Sequence, residues 1–505
     1  MLFNSHVFLF GFLPLVWCGY FLLARRSHRL ASLWLLAASL AFYAYWNPRF
    51  VALLLASIVF NHVVGTQLAR RTAAQQPTRL LLASAIAVDL VVLAVFKYAR
   101  FFLDSYAAIS GSAMALPEIV LPLGISFYSF TQIAFLVDSA RGIVGRVDGL
   151  RYALFVTYFP HLIAGPVLHH RQVMPQFERA SGFRPQWPAI ADGLAMFTLG
   201  LSKKLLVADT VADYADLMFN SAAHGAMPNL GLAWGGTLAY SFQLYFDFSG
   251  YSDMAIGLSL LFNVRLPCNF DSPYKAGNII EFWRRWHMTL SQFLRDYLYF
   301  PLGGNRHGKL RRHLNLMATM LLGGLWHGAN WTFVAWGGLH GAYLVANHLI
   351  GSPAKTQPPR AHAVAATFLL VTLAWVPFRS ANLACAGQIL ASMTGLHEIS
   401  VPAWLYAQLH PYIPSPRLLA DGLFGHDHPL YMVADGRTFI FVMVCCSLLV
   451  WKCPNSQQLL LENPSGRVPA LLRRRPLLTG ATLGALLCLD LAQLDHVSTF
   501  LYFQF

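Results

Sequence analysis

Charge is scarce in this 505-residue sequence: Asp, Glu, Lys and Arg together make up 11% of it, against about 25% in an ordinary soluble protein. Acidic side chains are the scarcer sign, 22 against 36 basic ones. Three chemical signatures are also missing: a glycine-rich phosphate loop, a serine-nucleophile elbow and an HExxH pair. Metal-dependent and nucleotide-hydrolysing mechanisms therefore have no support, and no metal ligands are assigned. The cysteines (Cys18, Cys268, Cys385, Cys445, Cys446, Cys453 and Cys488) lie mostly in apolar stretches without metal-ligand spacing. They read as small buried hydrophobes, with no disulfide framework. No internal repeat of useful length is present. The first apolar run has no basic segment before it and no small-residue cleavage site after it, so it reads as a retained helix and not a signal peptide.

What is abundant is apolar sequence, 56% of all residues, with a mean hydropathy of +0.49. It comes in long, nearly uncharged runs at 7–23, 30–46, 51–64, 80–96, 120–137, 152–168, 194–207, 230–246, 331–350, 361–376, 439–451 and 477–491. The longer ones approach the roughly 20 residues that cross a 30 Å hydrocarbon core. An all-α, polytopic integral membrane protein follows. The formal charge of +14 might suggest nucleic acid in a soluble chain. Here the basic residues cluster between apolar runs, as Arg25, Arg26 and Arg29, then Arg70, Arg71 and Arg79, then Arg306, Lys309, Arg311 and Arg312, and again over 452–475. The positive-inside rule makes those loops cytoplasmic and the N-terminus extracytoplasmic, and no nucleic-acid partner is needed. Residues 395–437 carry Glu398, Asp421, Asp427 and Asp435 against Arg417 and Arg437. That balance predicts an extracytoplasmic loop and a candidate partner surface.

The first 110 residues read as scaffold helices in which nothing polar suggests chemistry. From about residue 150 to 350, glycine, proline, histidine, aspartate and asparagine interrupt the apolar runs, as PHLIAGP at 160–166, FDFSGYSD at 246–253 and PLGG at 301–304. Helix breakers at membrane depth are tolerated where the backbone lies inside protein or lines a cavity, so this core is expected to hold broken or re-entrant helices.

Three stretches carry candidate chemistry. In NIIEFWRRWHMTLSQFLRDYLYFPLGG at 278–304, Asn278 and Glu281 form a capping pair that opens a helix. Trp283, Trp286, His287, Leu290, Leu294 and Tyr297 then recur at helical spacing, while Arg284, Arg285, Gln292 and Arg295 gather opposite, placed for lipid phosphates or an anionic substrate. In MLLGGLWHGANWTFVAWGGLHG at 320–341, His327 stands between Trp326 and Trp331 in a glycine-rich apolar run. An ionisable residue in such a run is a functional candidate by default, the alternative being helix glue. The glycines favour the first reading by letting a backbone or substrate chain reach the ring. His340 reads as structural. In YFDFSGYSD, Asp247 and Asp253 are placed either to orient a histidine or to satisfy broken backbone.

These stretches, together with LFNSHVFLFGFLPLV at the start, FDSPYKA at 270–276 and YFQF at the end, closely resemble the membrane-bound O-acyltransferase family. Within it they are most similar to the bacterial alginate O-acetyltransferase type that also serves cellulose acetylation. The resemblance runs nearly end to end as one domain over 1–505. It implies a ring of about 11–13 membrane helices around a central tunnel, in the bacterial inner membrane. It places the catalytic histidine on His327, as general base, and the second motif histidine on His287, which positions the donor or shapes the tunnel. Trp283, Trp286, Arg295, Trp326, Asp247 and Asp253 are then candidates for the donor tunnel. The implied donor is acetyl-CoA, with no bound cofactor. The implied partners are membrane lipid, a periplasmic serine-hydrolase-like acetyltransferase and an exopolysaccharide synthesis and secretion complex. A related branch uses a carrier-protein thioester for D-alanylation. Apart from the resemblance, a transporter or a structural subunit of such a complex would also account for buried polar residues among broken helices.

Overall fold

A backbone that finds no water must satisfy its own hydrogen bonds, and long apolar stretches do so as helices. The computed structural model describes residues 1–111, 119–145, 147–163, 165–351, 359–395, 399–400, 406–408, 411, 418–419, 436–461, 475–496 and 500–501. Helices dominate them, beside one two-residue parallel strand pair, Ile399–Ser400 against Leu418–Leu419. Among the described residues, Val7–Ala24, Arg49–Ala73, Arg79–Ser110 and Ala361–Arg379 are long and apolar enough to cross a membrane, while Leu383–Met393, Thr438–Trp451 and Pro476–Ala492 are apolar but shorter. Large apolar side chains such as Phe10, Leu15, Val59, Val91 and Phe441 point outward, as a lipid-facing surface requires. The chain is a multi-pass membrane protein. Some other apolar runs form helices largely enclosed by protein, Ile125–Ala140 among them. Most of 395–437 and most of 452–475 lie outside the described residues, so the expected partner loop does too.

The centre is the 32-residue helix Leu230–Leu261, buried without interruption from Ala239 onward. It corrects one expectation: FDFSGYSD is unbroken helix. Its glycine serves close packing. A Cβ on Gly250 would stand 2.7 Å from the Gly200 carbonyl oxygen, and one on Gly257 would stand 2.6 Å from the Gly193 carbonyl oxygen. Two antiparallel helices thus meet through small residues seven apart on each, the membrane route to backbone contact where apolar side chains already have apolar solvent.

The other interruptions are real. Helix Gly149–Thr157 stops before PHLIAGP, with only the four-residue turn Phe159–Leu162 after it. PLGG turns the chain with Gly303 at φ 110° and Gly304 at φ 58°, which glycine adopts without steric cost. The single amphipathic helix expected from 278 onward is two, Ile279–Arg285 and Met288–Leu294. Asn278 does cap the first, its Oδ1 accepting the Glu281 N–H at 2.9 Å. The break falls at His287, whose φ of 41° is unusual for a residue with a side chain. The adjacent strand of loop holds it there: the Asp271 N–H donates to the Arg285 carbonyl and the Met288 N–H to the Asn269 carbonyl, both at 2.9 Å. The break sends Trp286 and His287 into different surroundings, which regular spacing cannot anticipate.

Candidate active site

His327 is the last residue of helix Gly308–His327 and is buried. Its ring is boxed edge-on by Trp326, Trp336 and Phe378, with centroids 5.1, 5.0 and 5.3 Å away. The last carbonyls of a helix have no donors within it. Here the donors come from helix Arg79–Ser110. Lys97 Nζ donates to the carbonyls of Trp326 and His327 at 2.5 and 3.2 Å, and Tyr98 Oη donates to the Leu325 carbonyl at 2.9 Å. Lys97 also lies 3.3 Å from Ser126 Oγ. The two donors leave a π-helical turn, Ala94–Tyr98, a local widening often found at functional sites. Helix Arg79–Ser110 thus holds the end of the histidine's helix in place. The overlooked signal was a lone lysine directly after the apolar run 80–96, where an ionisable group has to be explained.

The glycines near His327 admit a neighbouring backbone, the first of the two expected uses. A Cβ on Gly324 would collide with the Phe333 carbonyl, and one on Gly337 with the Met320 carbonyl. They bring helix Trp331–Ile350 against the histidine's own helix, so Trp336 can reach His327 on one side and His340 on the other, 4.9 Å away. His340 Nδ1 accepts from Trp283 Nε1 at 3.3 Å, which fits its structural reading.

His287 is fully buried, and its Nδ1 lies 3.0 Å from Asn269 Oδ1. An amide oxygen can only accept, so Nδ1 carries the ring proton. Asn269 Oδ1 also accepts from Thr289 Oγ1 at 2.9 Å, which fixes the asparagine and with it the ring. The Trp326 ring joins the two histidines, with centroids 6.4 Å from His287 and 5.1 Å from His327.

Two cavities lie in this part of the molecule, the larger of them lined by Trp326. One, of about 620 Å³, is bounded by Met1, Tyr45, Trp46, Lys97, Ser126 and Trp326. The other, of about 390 Å³, is bounded by Trp283, Met288, Leu294 and Met320, with Arg284, Arg295 and His348 also lining it. Of the expected tunnel residues, Trp283 and Arg295 line the smaller cavity and Trp326 the larger. Arg295 is also paired with Asp296 at 2.7 Å. Trp286 lines neither of these. It packs in the aromatic core against Phe270, Phe282 and Trp375.

The hydrogen bonds and ion pairs of Asp247 and Asp253 lead away from both histidines. Asp247 pairs with Lys204 at 2.7 Å and accepts the Leu501 N–H at 3.0 Å. Asp253 pairs with Lys203 at 2.6 Å and accepts from Ser456 Oγ. The lysines come from the helix that meets the central one through glycine, some forty residues earlier, so the carboxylates lock that contact and anchor the C-terminal segment. Removing one partner of a buried pair costs about 3–5 kcal/mol. Lys204→Met is thus expected to lower the thermal stability of detergent-purified protein strongly, with Lys204→Met/Asp247→Leu recovering part of it. Equal melting of wild type and single variant would contradict this.

Comparison with known proteins matches residues 33–386 to the model of the MBOAT, membrane-bound O-acyltransferase, family. The chain is 42% identical over 431 residues to the peptidoglycan O-acetyltransferase of Helicobacter pylori, covering 79% of this chain and 81% of that one. It is 45% identical over 414 residues to the probable alginate O-acetylase AlgI of Azotobacter vinelandii, covering 81% of each. A more distant match, 27% identical over 227 residues, is to the teichoic acid D-alanyltransferase of Bacillus subtilis, covering 43% of this chain and 56% of that one.

Proposed function

This chain belongs to the membrane-bound O-acyltransferase family, and from that premise we propose that it passes acetyl from a cytoplasmic thioester to a hydroxyl acceptor destined for an exopolysaccharide. The observation that carries the reading is the buried pair His327 and His287, joined through Trp326, which itself lines the larger cavity. His327 takes the proton of the acceptor hydroxyl as its oxygen attacks the thioester carbonyl. The carbon–sulfur bond breaks, and the departing thiolate recovers the proton from the imidazolium. His287, its proton held on Nδ1 by Asn269, orients the donor.

The smaller cavity suits the donor. Arg284 and Arg295 line it, and cationic side chains suit the phosphates of acetyl-CoA. The basic cluster Arg306 to Arg312 begins the helix that ends at His327, about 30 Å of rise away. Met1 lines the larger cavity at the His327 end. The positive-inside rule then gives a cytoplasmic donor side, an extracytoplasmic N-terminus and an acceptor cavity facing outward, in a bacterial inner membrane. The acceptor polymer is alginate or cellulose, modified with the help of a periplasmic serine-hydrolase-like partner that docks on 395–437. A second reading, peptidoglycan as the polymer, is favoured by the Helicobacter relative's name and identity.

Purified protein in liposomes, given acetyl-CoA labelled in the acetyl group, is expected to release free CoA thiol and place label on a hydroxyl acceptor. Passage of label across the bilayer without thiol release would replace this reading with a transporter.

A further inference from the structure

Away from both histidines, a groove of about 930 Å³ runs beside helix Ala361–Arg379. Its walls are apolar: Trp234, Leu238, Val364, Phe368, Leu369 and Trp451. Three cationic residues, Lys275, Arg285 and Lys452, also line it, and no carboxylate does. They gather at one end. Lys275 Nζ donates to the Cys453 carbonyl at 2.7 Å, which places it beside Lys452. Gly277 lies against Pro359, just before the helix begins. From Ala361 to Thr372 the groove follows 12 residues of helix, about 18 Å at 1.5 Å per residue. That is about half of a 30 Å hydrocarbon core, or one leaflet.

The cations keep donors to spare. An ammonium has three, of which Lys275 spends one on Cys453. Arg285 pairs through Nη2 with Glu281 at 2.6 Å, leaving the rest of its guanidinium. The Lys452 side chain is exposed. Trp451, half-buried between Phe368 and the Tyr274 carbonyl, stands at the same end, the depth at which tryptophan gathers in membranes.

We propose that this groove is a binding site for an anionic phospholipid of the leaflet on the basic side, its phosphate held by Lys275, Arg285 and Lys452 and an acyl chain lying along Ala361 to Thr372. An apolar trough alone would take any lipid. The cations at its mouth select an anionic one, because each cation near an anionic headgroup strengthens binding about fivefold. The inference does not depend on the acetyl-transfer reading.

The test is native mass spectrometry of the purified full-length protein after exchange into mixed micelles with equal phosphatidylglycerol and phosphatidylcholine. Wild type is expected to retain phosphatidylglycerol at least about tenfold over phosphatidylcholine. Lys452→Glu should cut that preference about fivefold or more, and the triple variant Lys275→Gln/Arg285→Gln/Lys452→Gln should abolish it. Equal retention of the two lipids by wild type, or an undiminished preference in Lys452→Glu, would overturn the proposal. If the triple variant does not reach the membrane, those two measurements decide it.

Discussion

Cells carrying His327→Ala are expected to lose acetyl esters from their polymer, with the protein still present in the membrane at normal abundance. A positioned general base contributes on the order of 10²–10⁴-fold. The two neighbouring histidines each hold one ring nitrogen in another bond, His287 with Asn269 and His340 with Trp283. The ring leaves an aromatic box made by Trp326, Trp336 and Phe378. His327→Asn, which keeps more of the volume, therefore accompanies it as a control for packing. Normal ester content in both variants would remove His327 from the chemistry.

Lys97→Met is expected to be the next most damaging change, although Lys97 touches no reacting group in this account. It would leave the carbonyls of Trp326 and His327 without the ammonium donor that holds the end of their helix. Each unsatisfied buried acceptor costs about 1–3 kcal/mol, and the cheapest escape is for the helix end to shift. Misplacement of a catalytic group by about 1 Å can cost 10²-fold in rate. The expected pattern is a fall in kcat of about that size, with the donor KM nearly unchanged because Lys97 does not line the smaller cavity. Lys97→Arg should restore part of the rate by supplying donors again. A variant that melts earlier but turns over normally would show that Lys97 serves stability alone.

Much of this arrangement was legible in the sequence because it follows from local rules. Apolar runs became helices, the Asn278 cap opened one where expected, and the motif histidines lie together around Trp326. What stayed hidden depends on partners distant in sequence. FDFSGYSD looked like a break because glycine, serine and aspartate disfavour an isolated helix. Its glycine instead meets Gly200, and its aspartates meet Lys203 and Lys204. Those two carboxylates, weighed as partners for a histidine, pair with lysines instead. The helix through His287 looked continuous because three- and four-residue spacing says nothing of φ at one residue, and the cause of the break is the loop at Asn269 and Asp271. Lys97 stands plainly in the sequence as a lysine directly after an apolar run. Its meaning lay in carbonyls more than two hundred residues away.

The most direct test is single-turnover kinetics of purified protein with labelled acetyl-CoA and a soluble hydroxyl acceptor, comparing wild type with His327→Asn. The variant is expected to bind donor with near-normal affinity while thiol release and acetyl transfer in the first turnover fall by at least about 10²-fold. A first turnover in His327→Asn as fast as in wild type would contradict it.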